Sequence, residues 1–357
     1  MLWSRICEGP EWFVHANIAV AQGRVVGWRE TGMKRLGCLI GVTFCFATAF
    51  APATPARSDD YPSRPVRLVI SYQPGGIVDF AGRVLAQQLG QILNQPFVVE
   101  NRPGAGGIVG VESVAHATPD GYDLVLIDPS IVTNPVLHKT MPFDVFKDLA
   151  PVSLIGSSPD VLVVAPQLQI NSFAKLVAYG NANPGKLDFA SPGIGTTGHL
   201  AGEMFRQRLG IDATHIPYKG SGPVFVDLMS GKVQMLFSSI AAALPFTSKG
   251  SIVPLATTGR VRSPIYPDLP TVEEENLPGF VADTWLCLFA PAGTPESVIA
   301  VLNGAVAKAV EADTLKEDFA KFGVDPRRSS VPETATFVRN EYEKWKTVIT
   351  DSHISLE

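Results

Sequence analysis

Gly193-Ile194-Gly195-Thr196-Thr197-Gly198 is the stretch whose residue types and spacing point most directly to chemistry. The apolar run Leu187-Asp188-Phe189-Ala190 leads into it through Ser191 and Pro192, and a helix-like pattern runs from His199 to Leu209. A strand, a glycine turn and a helix N-terminus in that order expose backbone N–H groups without intrahelical acceptors, and the helix dipole favours an anion beside them. The same six residues spell G-x-G-x-x-G, the dinucleotide fingerprint, so one candidate anion is a pyrophosphate. That reading asks for an acidic residue at the end of the next strand, about 20 residues on, to hold a ribose. Here that strand ends in Tyr218-Lys219-Gly220, with Asp212 ahead of it. A lysine there suits a 2′-phosphate, which keeps a dinucleotide-dependent enzyme as an alternative.

Other catalytic patterns are absent from the sequence: it contains no G-x-x-x-x-G-K-[ST], no G-x-S-x-G and no H-E-x-x-H. Ser191 and His199 share a turn but stand eight residues apart across a helix start, which favours a structural histidine over a nucleophile and its base. His116, His138, His215 and His353 are scattered along the chain, so no metal site is expected. Cys287 sits among apolar neighbours and reads as an inert core thiol. The expectation is a protein with no catalytic residue, no metal and no cofactor.

The elements that would position the glycine turn repeat the same unit. Val66 to Ile70 reads as a buried strand, Ser71-Tyr72-Gln73-Pro74-Gly75-Gly76 as a turn, and Ile77 to Ile92 has helical apolar spacing. Asp79 falls in the first turn of that helix, where a carboxylate caps and complements the dipole. Phe97 to Glu100 is a second strand, Asn101 to Gly107 a third glycine turn, Ile108 to Ala115 a helix and Leu124 to Ile127 a strand. This βαβαβ series predicts a doubly wound sheet, whose ligands bind beyond the carboxyl ends of the strands. Asp160 to Ala165 is read as a crossover strand into a second αβ series, and Trp285 to Ala290 as the return. Thr271-Val272-Glu273-Glu274 has the capping-box pattern of a helix start. Thr294-Pro295 opens a helix through Val310, and a last helix runs from about Pro332 to Ile349 with Phe337, Val338, Tyr342, Trp345 and Ile349 on one core-facing side.

Two such mouths, in two segments joined by two crossovers, form a cleft able to close by hinge motion on a small anion. The expected limits are residues 57–160 with 285–357 for the first lobe and 161–284 for the second.

Composition agrees with a globular chain: 46% hydrophobic, 18% charged, 9% aromatic and a net charge of -5 over 357 residues, with no basic footprint for nucleic acid. Met33-Lys34-Arg35, the apolar run Leu36 to Phe50 and the small residues Ala51 to Ala56 spell a secretory signal peptide. Residues 1–56 are therefore an upstream extension plus signal, with the true start at Met33 and the mature chain beginning near Arg57. Without them 24 basic residues face 31 acidic ones, a net charge of -7. Three of the four cysteines (Cys7, Cys38 and Cys45) leave with that segment, so the body has no disulfide.

Taken in order, Ser71 to Asp79, Val99 to Gly107, Phe189 to Leu200, Pro217-Tyr218-Lys219-Gly220-Ser221-Gly222-Pro223 and Phe289-Ala290-Pro291-Ala292-Gly293-Thr294-Pro295 resemble the Bug-type extracytoplasmic solute receptors of tripartite tricarboxylate transporters. The resemblance covers nearly all of the mature chain. It implies a two-lobed periplasmic-binding-protein fold of the type II, Venus-flytrap kind, each lobe a doubly wound α/β sheet. It also implies a monomeric periplasmic protein delivering a small carboxylate to the membrane permease subunits of a tripartite transporter. A sensor lobe that signals ligand presence to a membrane partner is the alternative within the same fold.

Carried over residue by residue, the resemblance assigns Tyr72, Gly75, Gly76, Ile77 and Asp79 to one jaw of a carboxylate clamp. Ser191, Gly195, Thr196, Thr197 and His199 form the other, and Ser238 and Ser239 meet the distal part of the ligand. The contacts implied are backbone N–H groups, hydroxyls and ordered waters, which serve nearly as well as direct bonds. Thr196 stands where the family usually has Ser, Gln73 where it commonly has Pro, and Ser238-Ser239 where Asp often follows the phenylalanine.

Overall fold

The computed structural model describes residues 61–356, so the expectations for residues 1–56 lie outside the described residues. Strand and helix alternate from β1 (Val66–Ile70) through α1 (Ile77–Leu93), β2 (Phe97–Asn101), α2 (Ile108–Ala115), β3 (Asp123–Ile127) and α3 (Ser130–Leu137) to the long β4 (Leu149–Val164). The second series is α4 (Phe173–Ala182), β5 (Leu187–Ser191), α5 (Thr197–Leu209), β6 (Ala213–Pro217), α6 (Ser221–Ser230), β7 (Met235–Ser239), α7 (Ile240–Thr247) and β8 (Val253–Thr257). β9 (Asp283–Pro291) returns the chain, and α8 (Glu296–Glu311), α9 (Asp313–Lys321), β10 (Asp325–Pro326) and α10 (Val331–Asp351) complete it.

The strands run in the order β2-β1-β3-β9-β4-β7-β5-β6, with β8 and β10 paired to β4 off that path. β2, β1 and β3 are mutually parallel, as are β6, β5 and β7, which is the outcome of strand, helix, strand connections. Between these two groups lie β9 and β4, antiparallel to their neighbours, and they join the two lobes.

β4 changes partner in mid-course. Leu149 to Pro159 pairs with β9, whereas Asp160 to Val164 pairs with β7 and Val161 to Val164 with β8. The switch falls at Pro159, whose ring lacks a donor and suits a break in the ladder. The crossover strand expected from Asp160 is thus only the last five residues, Asp160 to Val164, of a 16-residue element.

Apolar packing follows this plan. α1, α8 and α9 cover one face of the first lobe over Leu68, Leu85, Leu126, Leu286 and Phe319. α6 and α7 cover the outer face of the second, over Val161, Phe225 and Leu236. A third cluster runs continuously through both lobes, from Val125 and Ile131 to Phe189, Phe205, Phe237, Trp285 and Trp345. α10 belongs to that cluster and packs on both α3 and α5. Its Glu341 Oε2 accepts from the indole nitrogens of Trp285 and Trp345, each at 3.0 Å, so its buried polar atoms are paired. Phe337, Val338, Trp345 and Ile349 lie on or against this core, as the spacing suggests.

α10 starts with a reciprocal cap: Ser330 Oγ accepts from Glu333 N, and Glu333 Oε2 accepts from Ser330 N at 2.8 Å. Ser330→Ala should lower stability by about 1 kcal/mol, read as a lower urea midpoint at unchanged slope. The same pattern at Thr271 and Glu274 makes both reciprocal bonds but opens no helix, contrary to expectation. The segment ends at Asn276, whose φ of 66° is left-handed, with Pro278 just beyond. Three helices had no sequence-based expectation: α3 and α7, which carry Pro135 and Pro245 internally, and the short α9.

Candidate functional site

The loop between β5 and α5 is held open by bonds made within it. Thr196 is the N-cap of α5: its Oγ1 donates to Gly193 O at 2.8 Å and accepts from His199 N at 3.4 Å. Gly195 has φ of 80°, which an L side chain rarely adopts, and its N–H donates to His199 Nδ1 at 3.0 Å. Leu200 N bonds to Thr196 O. The N–H groups of Thr197 and Gly198 find no acceptor among the described residues, so the first turn of α5 presents two free donors.

The loop rests on a histidine pair. The rings of His199 and His215 are stacked at 3.8 Å, with Phe189 beyond His215. His215 Nε2 and Ser191 Oγ lie 2.7 Å apart. Burial, with the neighbouring His215, pushes His199 down to about 3, and burial pushes His215 down to about 4 against the opposing pull of Glu203. Both rings are thus neutral at neutral pH, and His199 accepts at Nδ1 with its proton on Nε2. In an NMR titration their imidazole signals are expected to stay flat from pH 8 to about pH 5; an inflection near 6.5 for either would contradict this packing.

The facing jaw is built in the same way. Asp79 lies 4% exposed in the first turn of α1. Its carboxylate accepts from Gly75 N at 3.0 Å, Asn101 Nδ2 at 2.8 Å, and Arg83 Nη2 and Nε at 2.9 and 3.1 Å. Burial raises its pKa, but the bonds from Arg83, Asn101 and Gly75 win and hold it below the ordinary carboxylate value. Tyr72 Oη donates to Asp128 Oδ1 at 2.7 Å, and burial together with the Asp128 charge pushes the phenol well up. Ser130 N also bonds to Asp128 Oδ1, at 3.0 Å, which fixes the start of α3. Ala105 lines the same mouth with φ of 45°, a strained conformation of the kind that clusters at binding sites.

Between the jaws lies a cavity of about 610 Å³. Of the residues assigned to the clamp, Tyr72, Ile77, Gly195, Thr196, Thr197, Ser238 and Ser239 line it. Gly75, Gly76, Asp79, Ser191 and His199 are not among its lining residues. Gly75 and Gly76 shape the turn, Asp79 is consumed by that turn and by Arg83, Ser191 is fully buried against His215, and His199 supports Gly195 from below. The scattered appearance of the histidines is also corrected, since His215 joins His199 and His138 reaches the cavity wall.

Sequence reasoning missed Asp128, Ser130, Thr133 and Asn134, which flank or lie on the unexpected α3, and Thr284 on β9. It also missed Asp160. This residue sits where β4 leaves β9 for β7, opposite Ser239, and it is 3% exposed. Its main chain is bonded to Thr258, yet no hydrogen bond or ion pair among the described residues reaches its carboxylate. Burial, with Asp283 nearby, raises it to about 8. An acidic residue opening the apolar run Val161 to Val164 was the signal that could have found it. No Lys or Arg lines the cavity.

The sequence model of the tripartite tricarboxylate transporter family receptors matches residues 81–354. Protein BugT of Bordetella pertussis is 36% identical over 327 residues, covering 91% of this chain and 99% of BugT. Among solved structures, R. palustris Rpa4515 with adipate has a TM-score of 0.70 at 33% identity, covering 83% of this chain and 99% of that one. MatC (Rpa3494) of Rhodopseudomonas palustris with bound malate has a TM-score of 0.66 at 30% identity, covering 81% of this chain and all of that one. These relatives are solute-binding receptors rather than enzymes, which removes the dinucleotide-dependent alternative. With the alternating lobes, the paired glycine jaws and a match that spans most of its length, the chain belongs to the Bug-type receptors of the tripartite tricarboxylate transporter family.

Proposed function

We propose that this chain is a periplasmic receptor that captures a small organic carboxylate between its lobes and presents the closed form to the membrane permease of a tripartite transporter. The lobes are residues 57–160 with 285–357, and 161–284, and the receptor acts as a monomer. The observation that carries this reading is the pair of free N–H groups at Thr197 and Gly198, opening into a cavity that the start of α1 at Ile77 also lines. Two helix N-termini on one cavity supply positive potential without a basic side chain, which suits a carboxylate bound through dipoles and bridging water. A partner-switching strand such as β4 gives the lobes a natural line of closure at Pro159 and Asp160.

The test is a thermal-shift panel on the mature chain from Arg57 onward, with mono-, di- and tricarboxylates, amino acids and NAD(P). Ligands that bind only the folded state raise the melting temperature by mass action. At least one carboxylate is expected to give a saturable rise and NAD(P) none; a rise with nucleotide alone would overturn the reading.

A further inference from the structure

The cavity wall holds a carboxyl group that the anion seat on α5 does not account for. Asp160 is 3% exposed and lines the cavity, and no hydrogen bond or ion pair among the described residues reaches its side chain. Asp128, on the same wall, differs, because its Oδ1 already accepts from Tyr72 Oη and Ser130 N. A buried carboxyl with neither a donor nor a cation beside it is more stable as the neutral acid, since desolvation penalises the ionised form.

The elements around Asp160 keep it so. β7, α7 and β8 pack against β4 and carry no ionisable side chain. Asp283 on β9 adds its negative charge to the effect of burial. Arg327 and Lys344 act on Asp283, opposed by Glu341 and Asp325, and Arg260 shares a small pocket with Asp283; none of these pairs with Asp160. From α5, His199 is engaged by Gly195 N, and Glu203 by Arg206 and Ser352. His138 lies on the wall formed by α3, and no Lys or Arg lines the cavity.

Asp160 Oδ2 lies 3.7 Å from the point a Cβ on Gly198 would occupy, so the carboxyl stands directly beside the free donors of α5. A ligand carboxylate seated on those donors brings its oxygens up against Asp160. Two ionised carboxylates repel at that spacing, whereas one proton between them makes a short, charge-assisted O–H···O⁻ bond.

Resting on the carboxylate reading above, we propose that Asp160 meets the ligand as the neutral acid, donating its proton to the carboxylate held on the Thr197 and Gly198 N–H groups, so that capture is linked to proton uptake. The ligand arrives ionised; where Asp160 is also ionised, one proton from solvent enters with the ligand and sits between the two carboxyl groups. Burial and Asp283 place the free Asp160 at about 8, and the bound ligand raises it further. Binding is therefore insensitive to pH well below 8, where the proton is already present. It weakens as pH rises above 8, where the proton must be taken from solution.

The experiment is calorimetric titration of the mature chain with propionate, succinate, malate and adipate at pH 6.5, 8 and 9. Each titration is repeated in buffers of different ionisation enthalpy, whose slope counts the protons exchanged per ligand bound. For an acid that saturates, uptake is expected to rise from almost none at pH 6.5 through about half a proton at pH 8 to about one at pH 9. The dissociation constant is expected to rise by up to about tenfold per pH unit above pH 8. Asp160→Asn, and Asp160→Ser as a second variant should the first fold poorly, are expected to lose both the uptake and the alkaline weakening. A merely structural role for Asp160 would change affinity without moving the proton count. Saturable binding with no uptake by the parent, or uptake that persists in the variants, overturns the proposal and leaves the carboxylate reading standing. Binding by none of these acids, nor by any other in the thermal-shift panel, removes both.

Discussion

Asp160→Asn is expected to stabilise the folded chain, by an amount that grows from almost nothing near pH 4 to its full value above about pH 8. The folded carboxyl is raised from 3.8 to about 8, chiefly by burial and then by Asp283. A group whose folded pKa is raised contributes stability that is fully present below its unfolded pKa and is lost as pH rises through the folded one. The parent protein therefore loses stability from this residue between about pH 4 and pH 8, as proton release forces a buried, unpaired charge into place. Asparagine has no such charge, so the difference between the two proteins opens over that window and reaches on the order of 6 kcal/mol.

Asp283 itself is raised to about 7 by burial, opposed by Arg327 and Lys344 and assisted by Glu341 and Asp325, and it gives both proteins a slope of the same sign. The depressed His199 and His215 give a slope of the opposite sign, with stability lost as pH falls below 6.5. The histidine contribution is common to parent and variant and cancels in the difference, so paired urea titrations at pH 5, 6.5 and 8 read Asp160 together with its coupling to Asp283. A difference that is flat across those three values, or a variant less stable at pH 8, would show that the carboxylate is not buried without a partner. A protein that keeps a destabilising residue at its cavity is expected to gain stability when that residue is neutralised.

Gly195→Val is expected to reduce affinity for the best carboxylate by at least about a hundredfold while the chain still melts in one cooperative step. Two effects converge on this position. Its φ of 80° is unfavourable for any L residue and worse for a β-branched one, and a Cβ would sit 2.7 Å from Leu137 Cδ1. Leu137 belongs to α3 on the opposite lobe, so the added side chain both distorts the donor loop and props the cleft. The strain on folding is about 2 kcal/mol, small beside the loss of binding. Gly193→Ala is the matched control. That glycine has no left-handed φ, and its nearest neighbours to a Cβ are Thr196 Cγ2 and Tyr218 O, both at an ordinary 3.8 Å. Affinity within about threefold of the parent is expected for the alanine variant. Calorimetry on the two variants checks the pair, and equal losses would point away from the loop geometry.

The fold was legible where each element carried its own period and its own punctuation. β1, α1, β2, α2 and the β5-to-α5 unit announce themselves as apolar runs, glycine turns and helical spacing, and the observed bounds fall within a few residues of those expected. Local pattern failed where tertiary structure overrode it. Pro151, Gly156 and Pro159 hide the single strand β4, which exists because β9 and β7 pair with its two halves in turn. Pro135 and Pro245 mask α3 and α7, both short and buried against larger neighbours.

The site followed the same division. Thr196 and Thr197 were visible because a helix start is a local event. The role of Asp79 as a brace, the stacking of His199 on His215 and the exposure of Asp160 to the cavity depend on residues 16 or more positions apart, such as His215, Asn101 and Ser239. Single-sequence patterns hold no record of those distances.

The central claim is that the N-terminus of α5 seats a ligand carboxylate, and amide hydrogen exchange of the mature chain tests it most directly. Exchange is measured with and without a saturating amount of the acid that gives the largest thermal shift in the panel. Slowed exchange at Gly195 to Gly198 and at Gly76 to Val78 is the expected result, with helix interiors far from the cavity unchanged. Protection confined to other surfaces, with Thr197 and Gly198 exchanging as in the free protein, would contradict the account.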